Sequence, residues 1–116
     1  MTQIRIADIC PIAMTEEQGL LVRDAMGFAM DTNEPIVLDF AGISLFATMF
    51  FNASIGYYII EKGVDYCEKK IILVNISELG KETYTHSFLN AKEIVESSGG
   101  LSTDNSAIVK KNIEES

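Results

Sequence analysis

Ile36-Val37-Leu38-Asp39-Phe40-Ala41-Gly42-Ile43-Ser44-Leu45-Phe46-Ala47-Thr48-Met49-Phe50-Phe51-Asn52 is the stretch that decides the fold. Its first five residues are a continuous β-favouring run, the pattern of a central strand buried on both faces. Ala41-Gly42 breaks the run. Apolar side chains then return at helical spacing. Phe50, Ala53, Tyr57 and Ile60 share one face, which predicts a helix over residues 49–62 with Gly63 as its C-cap. A buried strand that feeds an apolar helix is the repeating unit of an α/β sheet.

The flanking segments repeat that unit. Upstream, Gln3-Ile4-Arg5-Ile6-Ala7-Asp8 alternates polar and apolar residues, as a half-buried strand does, and Pro11 ends it. Thr15-Glu16-Glu17-Gln18 reads as a capping box, with two acids in the first turn where the helix dipole favours them. Leu21, Val22, Ala25, Met26, Phe28 and Ala29 follow at helical spacing, so a helix is expected from Glu16 to Met30. Asp31-Thr32-Asn33-Glu34-Pro35 is a turn cluster. Downstream, residues 65–70 read as a charged connector and Ile71-Ile72-Leu73-Val74 as a fully apolar strand. Ser77-Glu78-Leu79-Gly80 opens a third helix carrying Phe88, Ala91, Ile94 and Val95, and Ser97-Ser98-Gly99-Gly100 stops it. The order is strand, helix, strand, helix, strand, helix over residues 1–100, a single α/β domain. Residues 101–116 are a polar tail in which Ala107-Ile108-Val109 and Ile113 are the apolar residues. It either adds one short edge element or frays.

At 116 residues the chain has the length of one domain. Its formal net charge is −8. Residues 1–60 set two arginines against seven acids, and residues 61–116 set seven lysines against ten. Such a chain repels phosphate backbones and lacks the basic stripe of a nucleic-acid binder. A polybasic membrane contact fails on the same ground. Between Asp39 and Glu61 no residue is charged, so the acidity surrounds a neutral, aromatic-rich segment. A partner for that segment is expected to offer an apolar groove with a basic rim. One histidine and two cysteines cannot supply a four-ligand metal cage, and no metal or other cofactor is expected. Cys10 and Cys67 are expected as reduced, buried thiols. The N-terminus lacks a signal-peptide pattern. The longest apolar stretch, residues 45–60, is interrupted by Thr48, Asn52, Ser54 and Gly56 and is too polar to span a bilayer. A cytoplasmic location is the expectation.

No nucleophile elbow, zinc-protease helix or phosphate-binding loop is present. His86 lies beside Thr85 and Ser87, with no carboxylate spaced to orient it, and reads as a surface or capping residue. An enzyme would need Asp39, Thr48, Asn75 and His86 to converge, and the expectation is a non-enzyme. Asp39 ends a strand run, where α/β sheets place ligand-facing polar groups. It either anchors loop amides or joins Ser44 and Asn75 in a small-ligand crevice. Thr48 falls where the N-cap of the second helix should be. A hydroxyl there also suits a phosphate, and the two roles are compatible.

Leu38-Asp39-Phe40-Ala41-Gly42-Ile43, followed by Phe50 and Gly56, resembles the central segment of the STAS-like domains of unknown function. These in turn resemble the sulfate-transporter and anti-sigma-factor-antagonist (STAS) superfamily. Thr15-Glu16-Glu17-Gln18-Gly19 with Val22-Arg23, Ile72-Leu73-Val74-Asn75-Ile76-Ser77 and Asn90-Ala91 fit the same pattern in order, over residues 3–97. The resemblance implies a mixed sheet of about four strands covered by three or four helices. It implies a bacterial, non-catalytic regulatory module that binds a protein partner whose ATP-binding fold resembles a histidine kinase. It places a phosphoacceptor at Thr48, or at Ser44 if the loop is shifted. Ala47-Thr48-Met49-Phe50 departs from the usual antagonist pattern, which has an acidic neighbour and small residues there. Partner contacts are expected from the loop and helix at residues 44–58, through Ala47, Met49, Phe51, Asn52 and Tyr58. The alternative is a sensor with its ligand near Asp39, Ser44 and Asn75. Homo-oligomerisation through an open N-terminal edge strand is compatible with either.

Overall fold

The computed structural model describes residues 1–97. The expectations for Gly99-Gly100 and for the tail at 101–116 lie outside them. Three short strands, β1 (Thr2–Arg5), β2 (Ile36–Asp39) and β3 (Ile71–Val74), form a sheet of order β1-β2-β3 with both pairs parallel. The sheet is in register, with Ile4, Leu38 and Leu73 side by side and Arg5, Asp39 and Val74 one pleat step later. The described residues therefore hold three parallel strands, where a mixed sheet of about four was expected. The reason lies in the connections. Each link between strands contains helix, which returns the chain to the starting end and makes the next strand parallel.

Among the described residues five α-helices, where three or four were expected, accompany the sheet: α1 (Glu16–Met30), α2 (Thr48–Ala53), α3 (Ile55–Lys62), α4 (Val64–Lys70) and α5 (Glu78–Ser97). The start of α1 is the one its capping box predicts. The Gln18 amide donates to the Thr15 hydroxyl at 3.1 Å, and the Gln18 side chain accepts from the Thr15 amide at 3.0 Å. The first strand is shorter than its alternation suggests, because Ile6–Asp8 winds into one 3-10 turn. The charged stretch at 65–70 is helical, with Cys67 and Lys70 as its buried residues.

The expected single helix over 49–62 is two. Ser54 leaves helical geometry (φ −99°, ψ −89°), and both its amide and its hydroxyl donate to the Phe50 carbonyl, at 3.1 and 2.9 Å. The break changes the buried face. Phe50 and Phe51 are buried before it, and Ile55, Gly56, Tyr58 and Ile59 after it, while Tyr57 and Ile60 turn outward. Gly63 is the C-cap of α3, as predicted, at φ +100°.

The core lies on one side of the sheet. Ile36, Leu38 and Ile71 pack with Met26, Met30, Phe40, Phe50, Phe51, Ile55 and Ile59. The opposite face carries Gln3, Arg5, Val37, Asp39 and Ile72, none fully buried. Among the described residues, β2 is thus covered on one face, not two. The apolar run in β2 is long enough for two covered faces, but helical cover reaches only one.

The tightest approach is between α1 and α2. A Cβ on Gly19 would stand 2.5 Å from the Phe50 carbonyl oxygen and 2.8 Å from the Ala53 Cβ. Gly27, in the same helix, has room: a Cβ there would meet the Tyr58 hydroxyl at an ordinary 3.6 Å. The two glycines should therefore respond with opposite signs. Gly19→Ala is expected to cost about 1–3 kcal/mol in urea unfolding, because a backbone must move. Gly27→Ala should gain up to about 1 kcal/mol from helix propensity.

Candidate functional site

The β2–α2 connection is built on paired backbone. Gly42 takes φ +87°, and the Ile43 amide closes a turn onto the Phe40 carbonyl at 3.0 Å. Phe46 then forms an isolated parallel bridge with Ala13. The Ala13 amide donates to the Leu45 carbonyl at 3.0 Å, and the Ala47 amide donates to the Ala13 carbonyl at 2.9 Å. This pairing holds Ala47 extended, so Ala47 is the N-cap of α2 and Thr48 its first helical residue. The expected capping role of Thr48 is thereby displaced by one position. Its hydroxyl is half-exposed and makes no hydrogen bond among the described residues.

An aromatic layer supports the connection from below. Phe46 and Phe51 stack with their planes within 6° and centroids 6.1 Å apart. Phe40, Phe50 and Tyr84 close around Phe51 at 5.9, 5.2 and 5.4 Å. Burial pushes the Tyr84 phenol up to about 12. Gly80, in the first turn of α5, abuts Phe46: a Cβ there would lie 2.8 Å from its ring. This contact brings the start of α5 to the start of α2. Leu45, Met49 and Leu79 are 50%, 54% and 53% exposed there, with Thr48 and the exposed Ser44 alongside.

Of the residues expected to touch a partner, Met49 and Asn52 are exposed and Ala47 is half-buried. Phe51 lies in the core and Tyr58 is buried with its hydroxyl donating to the Arg23 carbonyl at 2.8 Å. Neither presents its side chain to a partner in this conformation. Asn52 also accepts from the buried Ser87 hydroxyl at 2.6 Å, which ties α2 to α5. Sequence reasoning passed over Leu45, Leu79 and Ser87. Leu45 and Leu79 had a legible signal, since each is a large apolar residue at the mouth of a helix rather than on its apolar face.

Asp39 and Asn75 come together, and Ser44 does not join them. The Asp39 carboxylate accepts from the Asn75 side-chain amide at 3.0 Å and from the Ala41 amide at 2.9 Å. Asn75 adopts φ +56°. The hydrogen bond from Asn75, then that from Ala41, hold the Asp39 carboxyl below its ordinary range, with Arg5 and Gln3 assisting. The arrangement fastens the ends of β2 and β3 together. His86 is exposed on α5, and its side chain makes no hydrogen bond among the described residues. Among the described residues no group of His, Cys, Asp and Glu is placed to hold a metal ion, and no helix is long and apolar enough to cross a membrane. Cys10 and Cys67 are free and buried, and burial raises both thiols, Cys67 to about 11.

Residues 18–81 match the family model described as STAS-like domain of unknown function (DUF4325). The chain belongs to this family. No curated protein and no solved structure matches it. The STAS-like segment runs from Gln18, in the first turn of α1, to the first turn of α5 and so contains the whole β2–α2 connection. The resemblance carried by Leu38-Asp39-Phe40-Ala41-Gly42-Ile43 is borne out, and with it the STAS-like α/β fold.

Two measurements check this site. The depressed Asp39 carboxyl contributes stability that is present above the ordinary carboxylate range and lost as pH falls through the folded-state value. The urea midpoint should therefore fall below about pH 4, and more shallowly in Asp39→Asn. Both thiols should resist alkylation in the folded protein and react on unfolding, since the thiolate is the reactive form.

Proposed function

We propose that this STAS-like domain is a non-catalytic regulatory module that binds a protein partner through the surface around the start of α2. The partner expected from the family resemblance has an ATP-binding fold like that of a histidine kinase. The observation that supports the reading is the exposure of Leu45 and Met49 on either side of an unbonded Thr48 hydroxyl, with exposed Leu79 at the start of α5, which Gly80 brings against Phe46. Apolar residues exposed in one patch and held on a rigid base are the material of interface anchors. Asn52 adds a polar group at the edge. Phe51 acts from beneath, by fixing the helix that presents Met49, and Tyr58 holds α3 to α1 behind it through the Arg23 carbonyl.

Thr48 is the proposed point of control. A phosphate there would place nearly two negative charges inside a rim that has no charged residue from Ala41 to Ile60. Apolar docking would then require desolvating that charge, and binding would weaken. Ser44, in the same loop and exposed, is the second acceptor.

The test is co-purification of the full chain with a histidine-kinase-like ATPase from the same cell. Wild type should retain the ATPase. Met49→Asp and Thr48→Glu should each weaken the complex at least tenfold, as expected for interface anchors. Thr48→Val should retain binding and lose sensitivity to kinase treatment. Equal retention by wild type and Met49→Asp would remove the surface. Equal retention by wild type and Thr48→Glu would remove the control.

A further inference from the structure

Helix α1 has two apolar faces. Gly19, Val22, Met26, Ala29 and Met30 are buried. On the other side, Leu21, Ala25 and Phe28 recur at the four- and three-residue steps of a second stripe. Leu21 is 52% exposed and Phe28 is 85% exposed, the largest exposure of any large apolar side chain among the described residues. A lone exposed leucine needs no explanation, but an aligned stripe ending in a bare phenylalanine does.

Charge decides what fits it. Glu17 precedes Leu21 by one turn, Asp24 lies between Leu21 and Phe28, and Asp31 follows Phe28 by three residues. Arg23, the one cation of this helix, is turned aside onto the Tyr57 ring, 4.4 Å from its centroid. Next to the stripe, α1 and α3 border a cavity of about 320 Å³ lined by Asp24, Asp31 and Glu61 together with Arg23 and Lys62, so the cations lie on the α3 side and the carboxylates of Asp24 and Asp31 on the side of the stripe. The face is therefore apolar along its middle and anionic along its margin.

We infer that this face docks a cationic amphipathic helix of a partner protein. Apolar side chains of that helix lie on Leu21, Ala25 and Phe28, and its lysines or arginines meet Glu17, Asp24 and Asp31. A second copy of the chain does not fit. Two α1 faces packed about a two-fold axis set these carboxylates against one another, and like charges across an interface oppose binding. An anionic membrane surface is refused for the same reason. The surface is separate from the one proposed at α2, because α1 packs on α2 through its Gly19 side. Either can be occupied without the other.

The experiment uses the full chain and two synthetic helical peptides of about 18 residues, five turns. One carries leucines at the stripe spacing with lysines elsewhere, and the other has glutamate in place of lysine. The leucine–lysine peptide is expected to bind, to shift α1 backbone amides in NMR spectra and to weaken with added salt. Phe28→Ser should weaken it at least tenfold, and so should Asp24→Lys combined with Asp31→Lys. Met49→Ser should leave it unchanged. Phe28 is so exposed that its replacement leaves the core intact, and the charge reversal tests the face without touching it. Equal binding by the leucine–glutamate peptide overturns the inference, as does undiminished binding by Phe28→Ser. Self-association of the wild type that Phe28→Ser abolishes would assign the face to a second copy and overturn it as well.

Discussion

The approach of α1 to the Phe50 carbonyl is the constraint on which the rest of the structure depends. Only a residue without a Cβ lets the two helices come this close at Gly19. The same carbonyl accepts two bonds from Ser54, which ends α2 after six residues. One oxygen thus keeps its ordinary helical amide bond and also takes the Ser54 hydroxyl, where the helical dihedrals end, beneath a glycine that lets a neighbour lie against it. Because α2 is pinned there, Phe50 can face α1 while Phe51 enters the aromatic layer with Phe40, Phe46 and Tyr84. Because Phe46 is stacked, the loop before α2 has a fixed floor, and Leu45 and Met49 have no inward place to go.

The strand ends impose a second order. Asp39 and Asn75 bond to each other across the exits of neighbouring strands. A carboxylate at the carboxyl end of a parallel strand is a familiar position for binding a ligand. Here its hydrogen-bonding capacity is directed to the Asn75 side chain and the Ala41 amide. That makes it part of the frame on which the β2–α2 loop rests. The polar pair also lies at the surface, but its Oδ1 is already engaged twice, whereas the apolar side chains of Leu45 and Met49 face outward without cover among the described residues.

Local chemistry was legible in the sequence wherever a few adjacent residues settle the outcome. Thr15 and Gln18 set the start of α1 through two reciprocal bonds, and Gly63 stops α3. The strand cores at 36–39 and 71–74 are apolar runs between breakers. The unreadable features are those decided by distant partners. Ser54 breaks a helix whose spacing is continuous, with its hydroxyl bonded back to the Phe50 carbonyl that α1 lies against. Thr48 misses the N-cap because Ala13, more than thirty residues away in sequence, pairs with Leu45 and Ala47. The charge of residues 65–70 suggests a connector, yet they are helical, with Cys67 and Lys70 buried by tertiary packing. Of the candidate surface, Met49 and Asn52 were legible, while Phe51 and Tyr58 were drawn in by the same aromatic excess that signalled an interface. Spacing shows that a helix has an apolar face, but not which of two faces finds cover.

That last ambiguity is most consequential in α1. Val22, Met26 and Ala29 lie next to Leu21, Ala25 and Phe28 in sequence, and either set would satisfy a helical pattern. Gly19 chooses between them, because the close approach to α2 turns one set inward and leaves the other in water. The acids then fall on the margin of the exposed set by the same rotation, with Arg23 drawn toward Tyr57. The charge of the chain is thus sorted by a packing decision. The α2 surface carries no charge from Ala41 to Ile60, whereas the α1 surface is bordered by carboxylates. Two surfaces so different in electrostatics do not suit the same groove. A glycine that carries no side chain of its own therefore determines which chemistry each side of the helix pair offers to the outside.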